Sequence, residues 1–160
     1  MTNFRRLLEV LADGGVEFIL IGGVAAAAYG AVRNTLDLDV VYRRTSANLD
    51  RLAAALAPLV PYPRGAPPGL PFVWDARTIQ NGLNFTLATS LGDLDLLGEI
   101  TAGGPYEQLI GKTVELEVFG RTYRCIELSE LIRVKRAVGR PKDFEAIAEL
   151  EKLLELAPRK

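Results

Sequence analysis

The feature that most constrains the fold is a pair of aspartates inside an apolar strand. Residues 36 to 42 read as a β-strand, with Asp37 and Asp39 two positions apart. Side chains alternate across a sheet, so both carboxylates point to one face and Leu38 and Val40 to the other. Leaving two buried anions unpaired is costly, and a hard cation such as magnesium would relieve that cost. Alone, the pair could equally face water at a strand edge.

A second acidic strand follows later in the chain. Asp93-Leu94-Asp95-Leu96 repeats the alternation directly after Gly92. We expect Asp93 to belong to the turn and Asp95 to lie deeper in the strand. If the two acidic strands are neighbours, three carboxylates converge and can hold two magnesium ions about 4 Å apart. The alternative is that Asp95 is an ordinary exposed strand residue.

A glycine pair precedes both acidic strands. Val16 to Ile21 is an apolar run typical of a buried strand, Gly22 and Gly23 follow it, and an alanine-rich helix is predicted from about 24 to 29. Glycines let a backbone approach a phosphate closely, and a helix N-terminus offers free N–H groups. The alternative is a tight turn with close helix packing. The order of strand, glycines, helix and Asp-x-Asp favours a phosphate cradle beside a metal site.

The remaining elements follow from periodicity and turn residues. Residues 58 to 71 hold six of the nine prolines and predict a loop. Ser46 and Ser129 are candidate helix caps, and Pro141 suits a first helical turn. The helices are predicted at 3–12, 46–57, 129–138 and 141–156, and the further strands at 72–74, 84–88, 93–97, 114–119 and 122–127.

Composition excludes several classes of function. Nineteen basic and twenty acidic residues give a net charge of −1, which shows no overall bias toward nucleic acid. With Cys125 as the single cysteine, no internal disulfide can form. The absence of histidine excludes Ser-His-Asp triads and histidine zinc sites. No signal peptide or membrane-spanning run is evident, so we expect a cytoplasmic protein without a membrane partner.

Basic residues form a local cluster near the C-terminus. Five of the ten residues from 133 to 142 are Lys or Arg. Such a cluster could contact an RNA backbone or only a nucleotide, and each member could also be an ordinary surface residue. The basic candidates for the site are Arg33, Arg77, Lys135, Arg136, Arg140 and Lys142.

In combination, these motifs resemble the nucleotidyltransferase (polymerase-beta-like) superfamily, in particular its small bacterial AbiEii-type and minimal nucleotidyltransferase-like members. The resemblance spans roughly residues 16 to 150. Thr35 lies two places before the Asp-x-Asp pair and Arg33 shortly upstream, as in those proteins. The motifs that carry it are Leu20-Ile21-Gly22-Gly23, Asp37-Leu38-Asp39-Val40 and Leu94-Asp95-Leu96.

The resemblance implies an α/β (α+β) fold, a mixed twisted sheet flanked by helices with a C-terminal β-hairpin. It implies a single domain over 1–160, with a core at about 16–128 and a helical segment at about 129–157. The implied reaction moves an NMP from a nucleoside triphosphate to a hydroxyl of an RNA, such as tRNA, or of a protein acceptor. A toxin–antitoxin or defence system with a cognate toxin or antitoxin partner is the implied setting.

The resemblance also implies roles for individual residues. Asp37 and Asp39 would bind metal, and Asp95 would bind the second ion and help to deprotonate the acceptor. The cofactor would be two Mg²⁺ ions, with Mn²⁺ as the alternative. The nucleotide-binding residues would be Gly22, Gly23, Arg33, Thr35 and Lys135.

Three alternatives stay open. Val24 stands where many such proteins have Ser or Thr, which leaves room for a non-catalytic protein that acts as a partner-binding antitoxin or regulator. A small-molecule acceptor, such as an aminoglycoside, would use the same three acids. A Rossmann dinucleotide site is disfavoured because Gly22-Gly23 lacks the Gly-x-Gly-x-x-Gly spacing.

Overall fold

The computed structural model of the chain describes residues 1–32 and 34–157. These residues form nine strands and seven α-helices. The strands are β1 (Phe18–Ile21), β2 (Asp37–Tyr42), β3 (Tyr62–Pro63), β4 (Asn84–Thr89), β5 (Gly92–Leu97), β6 (Glu99–Ile100), β7 (Gly104–Pro105), β8 (Thr113–Val118) and β9 (Arg121–Ile126). The helices are α1 (Phe4–Asp13), α2 (Gly22–Ala28), α3 (Ser46–Leu56), α4 (Ala76–Asn81), α5 (Tyr106–Leu109), α6 (Leu128–Val138) and α7 (Pro141–Leu156).

Seven strands form one mixed sheet in the order β3-β4-β5-β2-β1-β9-β8, and β6 pairs with β7 separately. The pairs β2–β5 and β1–β9 are parallel, and the other neighbours in the main sheet are antiparallel. A mixed sheet flanked by helices confirms the predicted fold class. The antiparallel β1–β2 pair does not fit a doubly wound parallel sheet, which removes the Rossmann alternative.

Apolar residues of the two central strands build the core. All four residues of β1 are buried. In β2, Leu38 and Val40 are fully buried, whereas Asp37 and Asp39 on the opposite face are partly exposed. The alternation predicted from the sequence therefore separates a core face from an acidic face along one strand.

The sequence prediction was wrong at the outer edge of the sheet. Residues 72 to 74 form no strand, because the short strand β3, inside the predicted loop, already pairs with the outer edge of β4. Phe72 and Trp74 instead pack in a chain of aromatic rings that continues to Phe85. Helix α4 begins just after them, with the Asp75 carboxylate accepting a hydrogen bond from the Thr78 N–H at 2.8 Å.

The C-terminal hairpin and helices follow the prediction closely. Helix α6 begins at Leu128, so Ser129 lies in its first turn and is not its cap as predicted. Pro141 opens α7 in the first turn, where its missing N–H has no consequence. Among the described residues, no helix combines the length and the apolar character needed to cross a bilayer.

Candidate metal and nucleotide site

Three carboxylates converge because β2 and β5 are parallel neighbours in matched register. Asp37 lies opposite Asp93, and Asp39 lies opposite Asp95. One oxygen from each of Asp37, Asp39 and Asp95 lies within 4.8 Å of the other two. Asp93 is part of β5 and not of the preceding turn, contrary to the prediction, because the strand already begins at Gly92.

The electrostatics of this cluster favour an added positive charge. Burial, followed by the charges of Asp37 and Asp95, raises the pKa of Asp39 to about 8. Burial, with a smaller contribution from Asp95, also raises the pKa of Asp37, although Arg64 acts in the opposite direction. These carboxyl groups therefore ionise with difficulty when no cation neutralises them.

Gly22 is required by the close approach of Asp39. Its φ is +71°, a backbone conformation that residues with a side chain rarely adopt. A Cβ at this position would lie 2.1 Å from the Asp39 Oδ2 atom. Helix α2 starts at Gly22 itself, two residues earlier than predicted. A side chain at this position would therefore push Asp39 away from its neighbours.

Gly23 has the same function toward Thr35. A Cβ on Gly23 would lie 2.6 Å from the Thr35 hydroxyl oxygen. That hydroxyl donates a 3.2 Å hydrogen bond to the Asp37 carbonyl oxygen. Thr35 thus packs against Gly23 at the start of α2 and hydrogen-bonds the first residue of β2.

A cavity of about 380 Å³ opens beside Asp39, between the sheet and α6. Its polar lining includes Gly22, Gly23 and Lys135. Lys135 is close enough to lower the pKa of Asp39 against the larger effects of burial and the other acids. A second cleft of about 180 Å³ shares Gly23 and Lys135 with this cavity, and Thr35 lines only the second cleft. Four of the five predicted nucleotide-binding residues thus line one or both of these two spaces, and Asp39 lines the first of them.

The fifth predicted nucleotide-binding residue, Arg33, lies outside the described residues. Of the other basic candidates, Arg136 pairs with Glu151, and Arg140 pairs with Asp143 at 2.9 Å and also lines the cavity beside Asp39. Lys142 lines the second cleft. Arg77 lines a surface depression with Asp50 and Ser46, away from the three acids.

Sequence reasoning missed Arg64, which lies among the acids. Its Nη2 atom is 2.8 Å from Asp95 Oδ1, and its Nε atom is 3.5 Å from Asp93 Oδ1. Its Nη1 atom is 3.7 Å from Asp37 Oδ2. Arg64 is an arginine inside the proline-rich segment, but a loop has no periodicity that would have indicated the direction of its side chain.

The donor set suits a hard divalent cation. Three carboxylate groups supply only oxygen ligands, which magnesium and manganese prefer. Asp37, Asp39 and Asp95 would hold the ion, and the cavity beside Asp39 leaves room for a ligand that completes its coordination.

Comparison with known proteins rests on structure. No protein-family model matches the chain, and no curated protein matches it in sequence. The structure of the lincosamide antibiotic adenylyltransferase LnuA with lincomycin bound is similar, with a TM-score of 0.63 and 13% identity. That match covers 95% of this chain and 98% of LnuA.

A Thermotoga maritima protein described as a candidate nucleotidyltransferase is similar too, with a TM-score of 0.58 and 15% identity. That match covers 98% of this chain and 97% of the Thermotoga maritima protein. Both matches extend over nearly the whole chain and include the sheet that carries the three acids. The chain has a nucleotidyltransferase-like fold.

Proposed function

We propose that the protein is a metal-dependent nucleotidyltransferase that moves an NMP from a nucleoside triphosphate to a hydroxyl acceptor. The observation that carries this proposal is the convergence of Asp37, Asp39 and Asp95, with ligand atoms within 4.8 Å of one another, beside a cavity. Partly buried carboxylates with raised pKa values are unfavourable in a purely structural role. A nucleotidyltransferase-like fold supports the same reaction class by analogy.

In this proposal the acceptor oxygen attacks the α-phosphorus, the bond to the bridging oxygen of the β-phosphate breaks, and pyrophosphate leaves. Asp95 takes the proton of the acceptor hydroxyl. Divalent metal, when bound by Asp37, Asp39 and Asp95, supplies charge neutralisation at the phosphates. Gly22, Gly23 and Lys135 line the cavity that would receive the triphosphate, and Lys135 would offset its negative charge together with Arg33, whose role the sequence resemblance implies.

The sequence resemblance suggests an RNA or protein acceptor within a toxin–antitoxin or defence system. The structure supports a small-molecule acceptor as the second candidate. Arg133, Arg136 and Arg140 are paired with acidic residues, so the basic cluster presents less positive charge than its sequence suggests. LnuA, of similar length, acts on a lincosamide antibiotic, which shows that a chain of this size can recognise a small acceptor.

A non-catalytic role as a partner-binding antitoxin or regulator is the alternative function. Arg64 already neutralises part of the acidic cluster, and the valine at position 24 is buried and offers no hydroxyl to a phosphate. In that case, the ion pairs would stabilise the sheet and no nucleotide would bind.

The test compares thermal unfolding of wild type and Asp39→Asn with ATP, GTP, CTP and UTP, with and without Mg²⁺. Asp50→Asn is the matched control, because Asp50 is an exposed aspartate of α3. A nucleotide at a hundred times its Kd should raise the free energy of unfolding by about 2.7 kcal/mol. The wild-type Tm should therefore rise by roughly 5–10 °C. The rise should require Mg²⁺, persist in the control and disappear in Asp39→Asn.

The nucleotide that stabilises the protein then serves, labelled at its α-phosphate, in transfer assays with RNA, protein and small-molecule acceptors. Label that appears in an acceptor and is lost with Asp39→Asn establishes the reaction. Absence of stabilisation by all four nucleotides would exclude the enzyme and support the partner-binding alternative.

A further inference from the structure

Arg64 lies where it can neutralise most of the acidic cluster at once. Its three guanidinium nitrogens each approach a different carboxylate, those of Asp37, Asp93 and Asp95, at 2.8–3.7 Å. Two of these are proposed metal ligands. The side chain is only 27% exposed, so solvent screens these interactions incompletely.

The contacts are favourable in charge but poor in geometry. Arginine binds a carboxylate most strongly through two parallel hydrogen bonds to one group, and Arg64 makes no such pair. Its Nε atom is buried and has no hydrogen-bond partner. Its Nη2 atom divides its hydrogen bonds between Asp95 and the Leu87 carbonyl oxygen. A doubly charged ion could therefore replace the guanidinium at the Asp37 and Asp95 oxygens.

The side chain can leave the acids with the loss of its hydrogen bond to the Leu87 carbonyl oxygen but without a break in the backbone pairing of β3 with β4. The Arg64 N–H donates to the Thr86 carbonyl oxygen at 2.9 Å, which holds the backbone on the outer edge of β4. The next residue, Gly65, has a φ of +82° and open space around the position of a Cβ. Rotation of the long arginine side chain is sufficient, and the strand pairing of Tyr62 and Pro63 can remain.

We propose that Arg64 is an internal counter-cation of this site. It positions the carboxylates of Asp37 and Asp95 when no divalent ion is bound, and it competes with that ion for their oxygens. This inference rests on the proposed function, and it adds a residue that sets the metal affinity of the site.

The test is a titration with Mn²⁺ alone, in which free Mn²⁺ is followed by its electron paramagnetic resonance signal. We expect Arg64→Ala and Arg64→Gln to bind Mn²⁺ roughly tenfold or more tightly than wild type, because a positive charge that lies 2.8–3.7 Å from the carboxylates of Asp37 and Asp95 is removed. Arg64→Lys keeps the charge and should stay near wild type. Arg121 begins β9, a strand that pairs with neither β2 nor β5, and Arg121→Ala, which breaks its 2.8 Å ion pair with Asp13, should leave the affinity unchanged.

Equal or weaker binding by Arg64→Gln would overturn the competition and leave a purely structural role for Arg64. The glutamine variant keeps most of the side-chain volume, so a folding defect of the alanine variant would not obscure the result. If wild type binds Mn²⁺ and Asp39→Asn does not, while the Arg64 variants match wild type, only this inference fails. If wild type and the Arg64→Gln variant both fail to bind Mn²⁺, the inference about Arg64 and the proposed function both fail.

Discussion

At the scale of single residues, Gly22 links backbone conformation to the position of a candidate metal ligand. We expect Gly22→Ala to lower the free energy of unfolding by about 1–3 kcal/mol, because alanine is strained at this φ and its Cβ would displace Asp39. It should also abolish the magnesium-dependent stabilisation by nucleotide. Urea unfolding and the thermal assay with ATP measure the two effects.

Gly120→Ala is the matched control for this change. Gly120 has a φ of +80° in the β8–β9 turn, but no heavy atom lies within 4 Å of the position of its Cβ. The control should show only the backbone cost, about 1 kcal/mol. Normal nucleotide stabilisation in Gly22→Ala would contradict the close packing of Gly22 against Asp39.

The raised pKa of Asp39 predicts how stability depends on pH in the absence of metal. An unfolded aspartate titrates near 3.8, whereas folded Asp39 titrates near 8. Between these values the folded state binds more protons, so the free energy of unfolding should fall as pH rises from 5 to 8. The slope from one such group cannot exceed about 1.4 kcal/mol per pH unit.

Urea unfolding at pH 5, 6, 7 and 8 in EDTA measures this slope. Asp39→Asn removes the titrating group, so its free energy of unfolding should change less with pH than that of wild type. An identical slope in the two proteins would show that Asp39 is not the group responsible.

The acidic residues were accessible to sequence reasoning because alternation in a strand determines which side chains share a face. The prediction that Asp37 and Asp39 share a face depended only on that rule. The prediction that Asp95 joins them also required β5 to lie next to β2. Arg64 could not be predicted in the same way, since its position depends on a two-residue strand at the edge of the sheet. Side chains from irregular segments reach a site through tertiary packing that leaves no local pattern.

At the scale of elements, Asn48 joins α3 to the strands below it. Its side chain is fully buried, accepts a hydrogen bond from the Glu17 N–H at 2.7 Å, and donates to the carbonyl oxygens of Glu17 and Arg43. Asn48→Ala removes this partner from the Glu17 N–H and the Arg43 carbonyl oxygen, whereas the Glu17 carbonyl oxygen still accepts a 3.1 Å hydrogen bond from the Arg43 N–H. We expect a loss of about 2–4 kcal/mol in the free energy of unfolding.

Chemical denaturation of Asn48→Ala beside Asn81→Ala measures this loss. Asn81 is an exposed residue at the end of α4, so its replacement should change stability by less than about 0.5 kcal/mol. A comparably small effect at Asn48 would mean that water satisfies the backbone groups in the variant.

The outer edge of the sheet shows where element prediction failed. The apolar alternation at Phe72 and Trp74 resembles a strand, but the edge of β4 already pairs with Tyr62 and Pro63. The aromatic side chains therefore pack around that edge, between Tyr62 of the proline-rich segment and Phe85 of β4. A local pattern identifies which residues avoid water and does not identify the partner that covers them.

At the scale of the whole molecule, the order of the strands in the sheet could not be predicted from local sequence patterns. Helices and strands with clear periodicity, such as α7 and the β8–β9 hairpin, were located within one or two residues. The neighbours of β1, which lies between β2 and β9, follow from tertiary packing alone. The mixed sheet was expected only because the motifs resembled a known superfamily.

The place of β1 in the sheet also bears on how the chain is completed during synthesis. One edge of β1 pairs with β2 soon after both strands emerge, but its other edge pairs with β9, as Leu20 does with Cys125. The three acids are all translated by residue 95, before β9 exists. A nascent chain can therefore bring its acidic cluster together while an apolar strand edge is still open, a stage at which shielding by a chaperone would limit aggregation.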